Sequence, residues 1–203
     1  MQYEFSKDGN YEPPKTHNGY YLDEVISALQ KEIRRGKEYE AVFWAVELES
    51  FNPTALWNRL RVIVSEDVSI AEPHAPLLIA GLKEAYDYAK KSENSAYRLF
   101  FVHAVLLLAR SRKCRIVDDL VVTVYGNIKF NHQLLPMPDY AIDMHTKRGR
   151  QRGFVGRRGV EFFLEEGSKL KNEAFKNLYR KSASAFLLKH GTAWLRFPKA
   201  KKT

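Results

Sequence analysis

The chain has 203 residues, 45% of them apolar, and a formal net charge of +9. That supports one packed domain with an appendage and excludes wholesale disorder. The basic excess is local: from Met144 to Thr203 there are 16 Lys and Arg against 4 Asp and Glu, while the first 143 residues carry 17 against 20, a distribution that suits a polyanion because each phosphate contact releases condensed counterions.

Residues 1–19 hold Asp8, Gly9, Asn10, Pro13, Pro14, Asn18 and Gly19, the composition of an extended or poorly ordered arm. The N-terminus lacks a basic segment followed by an apolar one, so no signal peptide is expected. From Tyr21 a helical period begins: Leu22, Val25, Ile26, Leu29 and Ile33 share one face, and Gly36 after Arg34 and Arg35 is placed to cap it. A second helix is expected over 38–48, packing Ala41, Ala45 and the Phe43–Trp44 pair. Asn52 as N-cap and Pro53 in the first turn open a third, with Leu56, Leu60, Ile63 and Val64 buried. Trp57 is read as core. The Ser65-Glu66-Asp67 triplet is expected to accept hydrogen bonds from free backbone N–H groups at a helix start.

A helix over 75–89 follows, carrying Leu78, Leu82, Ala85, Tyr86 and Ala89. The next, 96–110, contains the longest apolar run, FFVHAVLLLA, which is shorter than the ~18 residues a bilayer span needs. His103 within it is expected to be buried. Cys114 has no second cysteine to pair with, fits a reducing cytoplasm and is read as a structural thiol. The segment DDLVVTVYGN at 118–127 fits a strand by its valines and a helix by Ile116, Leu120, Val121 and Val124. Asp118 and Asp119 are expected to cap a helix rather than bind metal. After Gly126, residues 127–158 show no period and several Gly and Pro breaks, so a long functional or unstructured loop is expected. Two helices then follow, marked by Val160, Phe163 and Leu164, and by Phe175, Leu178, Tyr179, Ser182 and Phe186. The tail PKAKKT is expected to fray.

Three motifs of the helical segment carry a resemblance: Ile26-Ser27-Ala28 with Lys31 and Arg34; Ala41 with Phe43-Trp44; and Arg59-Leu60 leading to Ser65-Glu66-Asp67 and Ala71-Glu72-Pro73. Together they resemble the C-terminal region of the MgsA/RarA replication-associated recombination ATPases over roughly Tyr20–Tyr125. Glu72 stands where that family has aspartate. The resemblance implies an all-α helical bundle like the clamp-loader collar domain over 20–126. It also implies homo-oligomerisation, as a tetramer in the family, with DNA and a replication protein as partners. No G-x-x-x-x-G-K-[ST] motif is present, so ATP hydrolysis and a cofactor are not expected.

The stretch 143–159, DMHTKRGRQRGFVGRRG, is the strongest site candidate. Lys147, Arg148, Arg150, Arg152, Arg157 and Arg158 lie among Gly149, Gly153, Gly156 and Gly159. Guanidinium forks match phosphate oxygens, and glycine lets backbone approach closely. Tyr140 and Phe154 are candidates to stack on bases. Mutual repulsion of the charges would hold such a loop open until an anion arrives. An alternative is a metal-dependent nuclease using Asp139, Asp143 and His145 with Glu161, Glu165 and Glu166. Asp139 and Asp143 could equally pair with the arginines and order the loop. A third reading is a protein-interaction module alone. The expected organisation is therefore an arm at 1–19, a helical domain at 20–126, and a basic loop with C-terminal helices at 127–203.

Overall fold

The computed structural model describes residues 13–191. Much of the expected arm, residues 1–12, and the tail from 192 onward lie outside the described residues. The chain separates into two compact units, Met1–Gln133 and Leu134–Thr203. The described residues are mostly α-helical and form no strand; one isolated bridge joins Lys15 to Tyr21. None of their helices is long and apolar enough to cross a membrane.

Among the described residues of the first unit, six helices form: α1 (Leu22–Arg35), α2 (Glu38–Phe51), α3 (Pro53–Ile63), α4 (Ala75–Lys91), α5 (Tyr97–Arg110) and α6 (Ile116–Phe130). Val25, Leu29 and Ile33 of α1 are fully buried, as the period requires. Gly36 ends the helix at φ 71°, a left-handed conformation in which its N–H reaches the Ile33 carbonyl. The Asn52 side chain accepts from the Ala55 N–H and starts α3. Leu56, Trp57, Leu60, Ile63 and Val64 are buried there, while Trp44 is only half-buried and Phe43 is exposed. Trp44 instead forms the meeting point of Tyr20 and Phe43, each edge-on to it.

α5 is the central helix and packs on α1, α2, α3 and α4. Its buried face is Phe101, Ala104, Val105, Leu108 and Ala109. His103 lies outside that face and is exposed, contrary to expectation. An apolar run longer than the buried stripe places some members on the outside. Leu78 of α4 is exposed for the same reason: Ala75, Ile79, Tyr86 and Ala89 face the core. Inside, the Tyr86 hydroxyl donates to Glu49 at 2.5 Å, and Lys90 donates to both groups.

Ser65-Glu66-Asp67 does not cap a helix. It forms part of a π-helical turn, Val64–Val68, whose side chains face charged partners instead. Asp67 is fully buried and accepts from Arg34 Nε (2.7 Å), Gln30 Nε2 (2.9 Å) and Arg115 Nη1 (2.9 Å). Glu66 accepts from the same two arginines. The Asp67 carbonyl accepts from the Cys114 N–H, which ties down the turn into α6. Arg59 donates to Gln30, so residues of the first and third resemblance motifs meet in this one network.

The valine-rich segment is helical. It continues through Gly126 to Phe130, and none of its residues is buried. Asp118 pairs with Arg115 in its first turn.

Candidate nucleic-acid interface

The second unit contains α7 (Lys147–Gln151), α8 (Gly156–Phe162) and α9 (Arg180–His190), with a short 3-10 turn at Asp139–Ala141 and a π-helical turn at Phe163–Gly167. The expected loop over 127–158 is broken by short helices, with residues 131–138, 142–146 and 152–155 remaining outside them. Its first residues belong to α6, and the basic stretch folds into α7 and the start of α8. The last expected helix begins later than the apolar pattern suggests, so Phe175, Leu178 and Tyr179 precede it and are exposed.

The order comes from Asp143, Thr146 and two glycines. The Thr146 hydroxyl accepts from the Gly149 N–H, an N-cap, and donates to the Asp143 carbonyl at 3.0 Å. Gly149 packs so closely that a Cβ there would lie 1.8 Å from the Asp143 carbonyl oxygen. A Cβ at Gly159 would lie 2.8 Å from the Phe154 carbonyl oxygen. Both glycines are buried in helical turns, so they serve close packing rather than approach to a phosphate. Ile142 and Val160 complete the small core.

Asp143 is itself buried, and it accepts from the His145 N–H and the His145 ring Nδ1, each at 2.9 Å. Burial pushes its carboxyl up, but the hydrogen bonds from His145 outweigh this and hold it below its ordinary value. His145 remains exposed with its ring edge-on to Phe163.

All six predicted basic residues are exposed. Their pairing differs. Arg152 is held by Asp139 at 2.9 Å and Arg157 by Glu161 at 2.8 Å. Arg150 donates to the Met144 and His145 carbonyls. Arg158 lies 5.6 Å from the centre of the Phe154 ring. Lys147 and Arg148 have no ion pair among the described residues. The charges thus neither repel one another into an open loop nor wait entirely unpaired: local carboxylates and carbonyls splint them.

Phe154 stacks on Phe162 at 4.2 Å between ring centres, so one of its faces is already used; Tyr140 is exposed. Of the nuclease candidates, Asp143 and His145 are brought together. Asp139 and Glu161 hold arginines and Glu166 pairs with Lys169. Among the described residues no three His, Cys, Asp or Glu side chains are grouped to hold a metal ion. The features that sequence reading missed are the Thr146 cap and the Asp143–His145 bond; the D-x-H-T spacing was their only signal. No family model and no curated protein matches the chain.

Proposed function

We propose that this protein is a DNA-associated binding and assembly protein whose second unit grips nucleic-acid phosphates. The observation that carries the reading is the folded state of the basic stretch. Six exposed cations stand on a scaffold fixed by Thr146, Gly149 and Asp143, so little ordering entropy remains to oppose binding. The Leu134–Thr203 unit carries 16 Lys and Arg against 6 Asp and Glu, whereas residues 1–133 carry 17 against 18. Binding is through backbone phosphates, hence weakly sequence-specific and steeply salt-dependent.

We read the first unit as a relative of the MgsA/RarA C-terminal helical domain, with an assembly role. The support is that Arg34, Arg59, Glu66 and Asp67, which carry the resemblance, lie in one hydrogen-bonded network. Fluorescence anisotropy with short single- and double-stranded DNA across a salt series tests the binding half. The comparison is with a variant carrying Ala at Arg148, Arg150, Arg152, Arg157 and Arg158. Salt-sensitive binding lost in the variant supports the grip; absence of binding at low salt, or binding that the variant keeps, overturns it.

A further inference from the structure

α6 is a 15-residue helix with no buried residue. Nine of its residues are apolar and between 38% and 73% exposed. Together they present on the order of 800 Å², about what one partner contributes to a standard-size protein interface. That exceeds the contiguous apolar patch, a few hundred Å², that monomers usually leave in water. Water alone does not account for such a helix.

Three observations point to what covers it. The first is spacing. Val117, Val121, Val124 and Ile128 follow one another at four, three and four residues, the seam of a helix that packs lengthwise on another helix. The second is shape. The N-terminal half borders a shallow groove with Arg61, Val62 and Ser65, floored by the short side chains of Val62, Val117 and Val121. The C-terminal half carries the bulky Tyr125 beside the seam, 73% exposed. The third is charge. Asp118 lies beside the seam at the start of α6 and Lys129 on the same side at its end. A second α6 laid antiparallel matches all three: bulky end into groove, valine seam on valine seam, acidic end beside basic end. Such a contact is isologous and closes at two chains.

We propose that α6 is a self-association surface at which two copies of this chain pair antiparallel. This deepens the assembly half of the function proposed above and is independent of the nucleic-acid half. A parallel pair would bring Asp118 of one copy to Asp118 of the other and leave Lys129 without an acidic neighbour, so the antiparallel form is favoured.

Light scattering on the eluting full chain is expected to give twice the chain mass at micromolar concentration. Val121→Glu with Ile128→Glu is expected to give a monomer with unchanged far-ultraviolet helix signal, because both sites are solvent-facing in the single chain. Register is read by cysteine pairing in a Cys114→Ser background. Mixed Val117→Cys and Ile128→Cys chains are expected to join to each other and not to themselves. A monomeric wild-type chain, a dimer that survives the double glutamate variant, or Val117→Cys chains that cross-link to themselves would each overturn the proposal. The dimer-breaking variant is also titrated with an oligonucleotide across salt. Retained salt-sensitive binding keeps the nucleic-acid reading intact whichever way the mass measurement falls.

Discussion

Asp67 has no exposure to solvent, yet three side chains from two other segments donate to it. A buried carboxylate is tolerated only when its lone pairs are filled. Removing it leaves Arg34, Arg115 and Gln30 facing an empty site, and with the arginines about one-third exposed the cost sits at the lower end for a broken pair. Asp67→Ala is expected to lower unfolding free energy by about 3 kcal/mol in urea titration. Asp143 makes a second, pH-dependent case. Its carboxyl is held below the ordinary 3.8, so its contribution is present above that value and is lost as pH falls through the lower folded value. Thermal unfolding of the second unit should therefore weaken progressively below pH 3.8, and Asp143→Asn should flatten that acid dependence. Equal acid profiles for the two proteins would contradict it.

At the scale of elements, α1 and α3 were legible because period and caps agree: Val25, Leu29 and Ile33 recur on one stripe, and Asn52-Pro53 is a start signal with a mechanism. α6 was ambiguous because its valines suit a strand, and no buried face exists to impose a helical period on them. The stretch over 143–159 looked like a loop because glycine was read as freedom. Gly149 and Gly159 are there because backbone passes where a Cβ would sit, which only a tertiary contact reveals. The same distinction sets two opposite outcomes. Gly149→Ala must displace the Asp143 backbone and is expected to abolish both the His145–Asp143 bond, seen in imidazole NMR shifts, and the salt-sensitive binding. Gly126→Ala meets nothing within 4 Å in mid-helix and is expected to stabilise by about 1 kcal/mol. Glycine alone cannot be scored; its neighbours decide the sign.

For the whole molecule, charge and core are divided between the two units. Among the described residues, the aliphatic and aromatic interior belongs to 13–133 and the second unit buries the apolar side chains Ile142 and Val160; that second unit carries the net positive charge, with 16 Lys and Arg against 6 Asp and Glu. Binding should accordingly be governed by ions rather than by hydrophobic area. Lys147→Ala with Arg148→Ala removes two cations that no described carboxylate holds, and should reduce the slope of log K against log salt by about 2. Arg157→Ala should change it less, because Glu161 already neutralises that guanidinium. An unchanged slope in the double variant would place the contact elsewhere on the protein.

α6 is fastened to its unit at one end. Its packing runs to the turns at Val64–Val68 and Ser69–Ala71, and Arg115 clamps its first residues through Glu66, Asp67 and Asp118. A helix of this length extends about 22 Å, so it acts as a lever with its fulcrum at Asp67. A tilt of about 10° at that fulcrum, small enough for a hydrogen-bonded network to absorb, carries Phe130 through about 4 Å. Mechanical advantage of this kind means that substitutions around Arg34, Glu66 or Arg115, remote from the tip, will steer where the tip points.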